Sequence, residues 1–420
     1  MKVLKAGIIC EYDPFHKGHD YHLAKTLQAM PSCSQNAVIA VMRGNYVQRA
    51  QPAMWDKFTR TRMALSSGVS MVLELPTLYA AATAEWFAFG GVSLLYHSHM
   101  IDALSFGMED ESHLPVLKRA SSLLFPEDPA YQTLLRRYLS EPLPFAQARQ
   151  RALEDLLGQA LPTGPNDVLV LEYLKAIRRL EEEENTDPGW KLIPVTRKGS
   201  GHDQDVSPAE VSGPDRFLSA RSVRRLSLEG QDISPYLPHG SLPYLRDKKG
   251  RSTALDKASY ERFYAYLIDQ LARIDAAKLS DIDEVAEGLE NRLISAPLPT
   301  PSYSKFLDLI KTKRYPTSRL NRILLNITLG ISRSFKNEYD FAKGPSYIRV
   351  LGVRKDQLPL LSELTHKADL PVIINPARQM KDLPDPARDL FRRELTWSRI
   401  YASLSPAVCQ NELSEPLLIV

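Results

Sequence analysis

A chain of 420 residues, at about 150 residues per domain, makes two or three domains, each large enough for its own core, and excludes a disulfide-stapled miniprotein. The apolar share of 44% and the charged share of 25% are those of an ordinary globular protein, which excludes disordered and collagen-like chains. With 53 Lys and Arg against 50 Asp and Glu, the net charge of +3 gives no whole-molecule field to hold an anionic polymer, so any nucleic-acid contact must come from a local patch.

Apolar runs such as Ala37 to Met42 fall well short of the roughly 18 residues that a membrane helix needs, and the N-terminus has no signal-peptide pattern. The expected compartment is the cytoplasm, with no membrane contact. Cys10, Cys33 and Cys409 are odd in number, far apart and not in CxxC spacing, which argues against both a disulfide framework and a structural zinc.

In chain order, Leu4 to Cys10 reads as a strand, Glu11 to Pro14 as a loop and Gly18 to Met30 as a helix. The pattern repeats with strand Ala37 to Met42, helix Trp55 to Ser67, strand Ser70 to Leu75, helix Ala81 to Leu95 and strand Asp102 to Phe106. Short buried-type strands alternating with helices predict an α/β fold with a doubly wound parallel sheet, whose ligands sit at the carboxyl ends of the strands where the strand order reverses. From His113 to about Glu184 the pattern is helical, with Asn166 as the expected cap of the last helix. Lys191 to Val195 reads as a further strand, Arg197 to Pro214 as a Gly/Ser/Asp/Pro-rich loop, and Phe217 to Leu228 as a helix. Gly240 to Ser252 is the best linker candidate. Beyond it the chain is mainly helical, with possible strands at Tyr347 to Val353 and Pro371 to Asn375. The expected division is residues 1–245, a catalytic α/β part with a helical insertion, and residues 246–420, a mainly helical part.

His16, His19 and His22 lie within seven residues, where nine histidines in 420 would place about 0.15 in such a window. His16-Lys17-Gly18-His19 follows the first strand and opens the first helix. Amides at a helix N-terminus favour anions, the glycine allows a phosphate to come close, and two imidazoles can donate to phosphate oxygens as charge grows on them. The HxxH spacing also suits two zinc ligands, but neither a third ligand nor an HExxH-type base accompanies it. His22, three residues past His19, is read as lining the same helix face, without a direct catalytic role.

HxGH after the first strand of a parallel sheet resembles the signature of the nucleotidyltransferase superfamily. The longer string Gly7-Ile8-Ile9-Cys10-Glu11-Tyr12-Asp13-Pro14-Phe15-His16-Lys17-Gly18-His19-Asp20-Tyr21-His22 is similar, more specifically, to the bacterial tRNA(Met) cytidine acetate ligases. Similar segments follow in the same order: Arg43 to Arg49 with Asp56-Lys57, Ser105-Phe106-Gly107, Pro165-Asn166-Asp167, Arg197 to Asp203, Ser219 to Arg224, Lys311 to Arg319 and Tyr347 to Gly352. The resemblance covers nearly the whole chain.

It implies a ligase that activates acetate with ATP and acetylates N4 of the wobble cytidine of elongator tRNA(Met), with Mg2+ expected on the triphosphate and no obligatory protein partner. It implies His16 and His19 as the catalytic pair, and ATP contacts from Ile9, Cys10, Glu11, Tyr12, Asp13, Pro14, Phe15, His16, Lys17, Gly18, His19, Asp20, Tyr21, His22, Gly107, Asn166 and Arg197. Ser219 and Arg224 join them from a second phosphate signature, in which Arg221 stands where a threonine is expected. Asp13 and Arg43 also depart from the usual Asn and Ser. The helical part is then the expected tRNA-binding part: Lys305 to Arg322 carries six basic residues against Asp308. Lys311, Lys313, Arg314 and Arg319 are its candidate phosphate contacts and Tyr315 its candidate stacking surface. A small-molecule adenylyl- or cytidylyltransferase using the same HxGH chemistry leaves that basic segment unexplained, and a catalytically silent RNA-binding protein leaves the histidine pair unexplained.

Overall fold

A computed structural model describes residues 3–33, 35–47, 51–198, 217–286, 288–298, 300, 302–312 and 315–420. Its strands are β1 Lys5–Cys10, β2 Ala37–Arg43, β3 Tyr46–Val47, β4 Gln51–Pro52, β5 Met71–Leu75, β6 Ala103–Met108, β7 Lys191–Thr196, β8 Ile348–Val353, β9 Val372–Ile373 and β10 Leu418–Ile419. Apart from the small hairpin β3–β4, they form one sheet in the order β10-β8-β5-β2-β1-β6-β7, with β9 also paired to β8. The segment β5-β2-β1-β6-β7 is parallel throughout. It is the doubly wound arrangement, and its order reverses between β1 and β6, which opens a crevice beyond their carboxyl ends.

All seven residues of β2 are buried, as a central parallel strand covered on both faces requires, and its run Ala-Val-Ile-Ala-Val-Met supplies the side chains. The helix Ala84–Ser98 packs against the helix Pro165–Glu183 on one face of the sheet, in a core that includes Val41, Leu73, Phe89 and Leu104. The helix Lys57–Ser66 supports the other face with Trp55, Phe58 and Met63. A third core joins the helices Lys257–Arg273, Tyr303–Ile310 and Thr317–Leu329 through Leu267, Leu271, Phe306, Ile310, Leu320 and Ile323.

Residues after 246 are mainly helical, yet they do not stand apart from the sheet. β8 pairs antiparallel with β5, Val72 opposite Gly352 and Glu74 opposite Arg349. The join is clamped by charge: Lys57 Nζ lies 2.7 Å from Glu74 Oε1 and 2.8 Å from Glu412 Oε1, with each partner at most 4% exposed at its side chain. Glu394, on the helix Asp385–Ala402, accepts hydrogen bonds from the Thr77 amide at 2.5 Å and its hydroxyl at 2.7 Å. The stretch Gly240 to Ser252 is likewise no free linker. Its first turn packs on the helix Lys57–Ser66, and a side chain at Gly240 would collide with the Ser66 carbonyl.

Candidate active site

The loop after β1 is shaped by an aromatic knot. Tyr12 has φ +51°, a left-handed conformation that is uncommon for a bulky residue. Its buried ring meets Phe15 edge-on at 4.7 Å and His19 at 4.9 Å. The Asp13 carboxylate, 1% exposed, accepts from the amides of Met54 at 3.0 Å and Trp55 at 3.2 Å, which ties the loop to the chain leading into the next helix.

The helix Lys17–Gln28 begins on His16, whose Nδ1 accepts from the Gly18 amide at 3.0 Å. His19 Nδ1 in turn faces the His16 amide at 3.3 Å. The two imidazoles stack with centroids 3.8 Å apart. A nitrogen that accepts from an amide carries no proton, so each neutral ring bears its proton on Nε2. This arrangement presets two N–H donors at a helix N-terminus. A side chain at Gly18 would come within 2.8 Å of His16 Cε1, which explains the glycine between the histidines. Burial, then the His16 and His22 rings and Arg197, hold the His19 pKa well below its ordinary value against the opposing Pro14 carbonyl.

His22 is anchored instead to the sheet. Its Nε2 lies 3.0 Å from Ser105 Oγ on β6, and Ser105 Oγ is 2.7 Å from Thr26 Oγ1. Burial pushes its pKa down from 6.5 to about 4. Between those values the unfolded chain binds a proton that the folded one does not, so stability is lost as pH falls from 6.5 towards 4. His22→Gln is expected to flatten the fall in melting temperature over that window, and calorimetry against the parent protein checks it.

A cavity of about 230 Å³ lies at the sheet's reversal point, and both catalytic candidates line it. Of the expected nucleotide contacts, Ile9, Cys10, Glu11, Tyr12, Asp13, His16, Gly18, His19, Tyr21, His22, Gly107, Asn166, Arg197 and Ser219 are in its wall. Pro14, Phe15, Lys17 and Asp20 are not in that wall, because the loop turns Phe15 into the core and the helix turns Lys17 to solvent. Arg224 is outside it as well: its guanidinium donates to the Asp13 carbonyl at 2.5 Å and sits 3.6 Å from the Asp13 carboxylate, bracing the loop from behind.

Asn166 is not the cap of its helix. Gly164 holds that position and Pro165 the first turn, where a missing amide hydrogen costs nothing. Asn166 Nδ2 instead donates to Glu109 Oε1 at 2.7 Å. Ser219 does cap the helix Ala220–Leu228, accepting from the Ser222 amide at 3.2 Å. Sequence reasoning did not single out Phe87, Tyr173 and Lys198 as cavity walls. Arg43, noted only as a departure, is a buried cation at the end of β2, 3.7 Å from the Phe87 ring centroid and 3.3 Å from Glu11 Oε1. Burial lowers its pKa, with Glu11 opposing.

In the basic segment, Lys311 is exposed, while Lys313 and Arg314 lie outside the described residues. Tyr315 offers no open face. It is 4% exposed, its hydroxyl donates to the Ala286 carbonyl, and Arg319 covers its ring at 4.4 Å. Arg319 donates to the Glu284 carbonyl at 2.7 Å, and Arg322 grips the Glu284 carboxylate at 2.6 and 2.7 Å. The tyrosine is core because it closes the turn between two helices, a constraint invisible in a basic, turn-rich string. Among the described residues no group of three His, Cys, Asp or Glu side chains is placed to hold a metal ion, and no helix is long and apolar enough to cross a membrane. Positive charge at the cavity comes from Arg43, Arg197 and Lys198.

Comparison with known proteins bears on the fold and the family. The family model described as HIGH Nucleotidyl Transferase matches residues 1–415. A tRNA(Met) cytidine acetate ligase of Thermoanaerobacter sp. (strain X514) is 35% identical over 403 residues, covering 94% of each chain. Another, of Clostridium perfringens (strain SM101 / Type A), is 32% identical over 417 residues and 96% of each. Crystal structures of Thermotoga maritima TmcAL superpose over 100% of both chains at 27% identity, with TM-scores of 0.86 for the apo form and 0.85 for the form bound with alpha-thio ATP. With its full length matched and its histidine pair set at the sheet's reversal point, the chain belongs to the tRNA(Met) cytidine acetate ligase family.

Proposed function

We propose that this protein activates acetate with ATP and transfers the acetyl group to N4 of the wobble cytidine of elongator tRNA(Met). In the first step an acetate oxygen attacks the α-phosphorus of ATP, and the bond to the pyrophosphate oxygen breaks, giving acetyl-adenylate and pyrophosphate. In the second, the cytidine N4 amine attacks the acetyl carbonyl carbon, loses a proton and expels AMP. The observation that carries this reading is the pair of stacked imidazoles whose Nδ1 atoms are both occupied by backbone amides. Their Nε2–H groups serve as preorganised donors to phosphate oxygens as charge builds there. Arg197, with Lys198, adds positive charge beside them, and Asn166 is oriented by Glu109. Mg2+ bound to the triphosphate would neutralise part of its charge.

Incubation with labelled acetate, ATP and a tRNA(Met) transcript tests the proposal. Label on the RNA with release of AMP and pyrophosphate is expected; pyrophosphate release with no label on RNA would instead favour a transferase acting on small molecules. At Gly107 an added Cβ would meet, among the described residues, only Arg197 Cγ, at 3.7 Å, an ordinary contact. Gly107→Val is therefore expected to keep the parent melting temperature while filling the cavity wall, and to weaken ATP binding at least ten-fold in titration calorimetry. Lys311, Lys313 and Arg314 are proposed phosphate contacts. Neutralising all three should reduce the slope of log affinity against log salt by about 3.

A further inference from the structure

The cavity at the sheet's reversal point has two ends. In the strand order β2-β1-β6-β7, Gly107 and Arg197 belong to the strands on one side of β1, and Arg43 to the strand on the other. The histidine pair follows β1 and so stands between them. Glu11, Phe87 and Tyr173 join Arg43 in the cavity wall. The charge at this end is met within the protein: Arg43 donates to the Ala80 carbonyl, lies 3.3 Å from Glu11 Oε1 and stacks on the Phe87 ring. It is a filled wall and not an anion site.

Tyr173 is different. It is 5% exposed and lines the cavity, yet among the described residues its hydroxyl makes no hydrogen bond. A buried phenol usually finds a partner. Three other buried tyrosines do, with Tyr46 donating to the Trp397 carbonyl at 2.9 Å, Tyr79 to that of Phe341 at 2.9 Å and Tyr401 to that of Ala53 at 2.8 Å. Burial raises the Tyr173 pKa, with Arg43 opposing and Cys10 and Glu11 reinforcing it, so the phenol keeps its proton and stays a donor. The groups it senses all belong to the cavity wall. Tyr173 also shares a helix with Asn166, seven residues and about 10 Å away on the same face, which sets it apart from the nucleoside end. A neutral donor among Phe87, Phe106 and Leu169 suits a small group with one carbonyl oxygen and an apolar remainder.

We propose that this is the acyl end of the site, where the Tyr173 hydroxyl donates to the acetyl carbonyl oxygen and the Phe87 ring limits the acyl group to a methyl. The proposal deepens the acetate–tRNA ligase reading and rests on it. In the first step the other acetate oxygen bonds to the α-phosphorus as the bond to pyrophosphate breaks. In the second, the N4 amine adds to the acetyl carbon and the carbonyl electron pair moves onto the oxygen held by Tyr173. Its return breaks the bond to AMP, and the amine's proton passes to water. A fixed donor acts most strongly where that charge develops.

Tyr173→Phe keeps the ring and removes only the hydroxyl. Acetate-dependent pyrophosphate exchange reads the first step, and quenched transfer of labelled acetyl to a tRNA(Met) transcript reads the second. The acetate KM should rise about 2–10-fold and transfer should slow about 10²-fold, with the parent's melting temperature and an ATP affinity within two-fold. Both values within two-fold of the parent would overturn the proposal and leave the ligase reading standing. Loss of melting temperature and ATP affinity along with the rates would overturn it too, since the hydroxyl then serves the fold. A parent with no acetate-dependent exchange overturns both. Phe87→Leu tests the wall separately: kcat/KM for propionate relative to acetate should rise about ten-fold, and an unchanged ratio removes Phe87 from the size limit and overturns the placement of the acyl end.

Discussion

Replacing His19 by alanine, or His16 by asparagine, is expected to slow acetyl-adenylate formation by about 10²–10³-fold, the effect of losing one preorganised donor to developing charge. Asparagine is the sharper choice at position 16 because His16 also caps its helix through Nδ1. Alanine there would remove the cap, at a cost of about 1 kcal/mol, whereas asparagine is itself a strong cap. The variant therefore separates chemistry from helix stability. Single-turnover pyrophosphate release at saturating ATP should fall while ATP affinity changes only a few-fold, the pattern of an interaction made mainly in the transition state. A rate within three-fold of the parent in both variants would remove the histidines from the catalytic role.

Lys57→Met is expected to cause the largest loss of stability, about 3–5 kcal/mol, because it removes the ammonium that contacts both buried carboxylates. Burial works against the Lys57 charge, but Glu412 and Glu74 outweigh it and raise the pKa, so the ammonium stays charged across the working range. Arg349, 1% exposed, is the second cation of the cluster. Burial and then the Glu74 charge raise the pKa of Glu394 above the usual carboxylate range. Urea unfolding measures the loss. Adding Glu412→Gln to Lys57→Met should recover part of it, since one of the stranded charges is then gone; a double variant weaker than the single would show that the cluster acts through packing alone.

The parts of this molecule that were legible in its sequence are those whose cause is local. The central parallel strands β2 and β5 are contiguous runs of buried residues, and the histidine pair sits in four consecutive positions whose geometry is set by one helix start. What was not legible depends on distant partners. The acyl end of the cavity is built from positions 11, 43, 87 and 173, and no spacing rule joins them. Tyr315 lies in a basic string but is claimed by a helical core. At Asn166 the stronger signal was the proline before it, which marks the first helical residue and moves the cap back to Gly164. β10 has only two residues, too few for any periodicity.

The pairing of β8 with β5 also fixes an order of events at the ribosome. β5 ends at Leu75 and its partner starts at Ile348, so at roughly 5–20 residues per second the emerging chain waits about 15–55 s with that sheet edge uncovered. An open edge is a template for pairing with another chain, and Lys57 and Glu74 wait longer still for Glu412. Nascent chains stalled before residue 348 should therefore depend on chaperones, and the sheet that carries the histidine pair should close only once β8 has emerged.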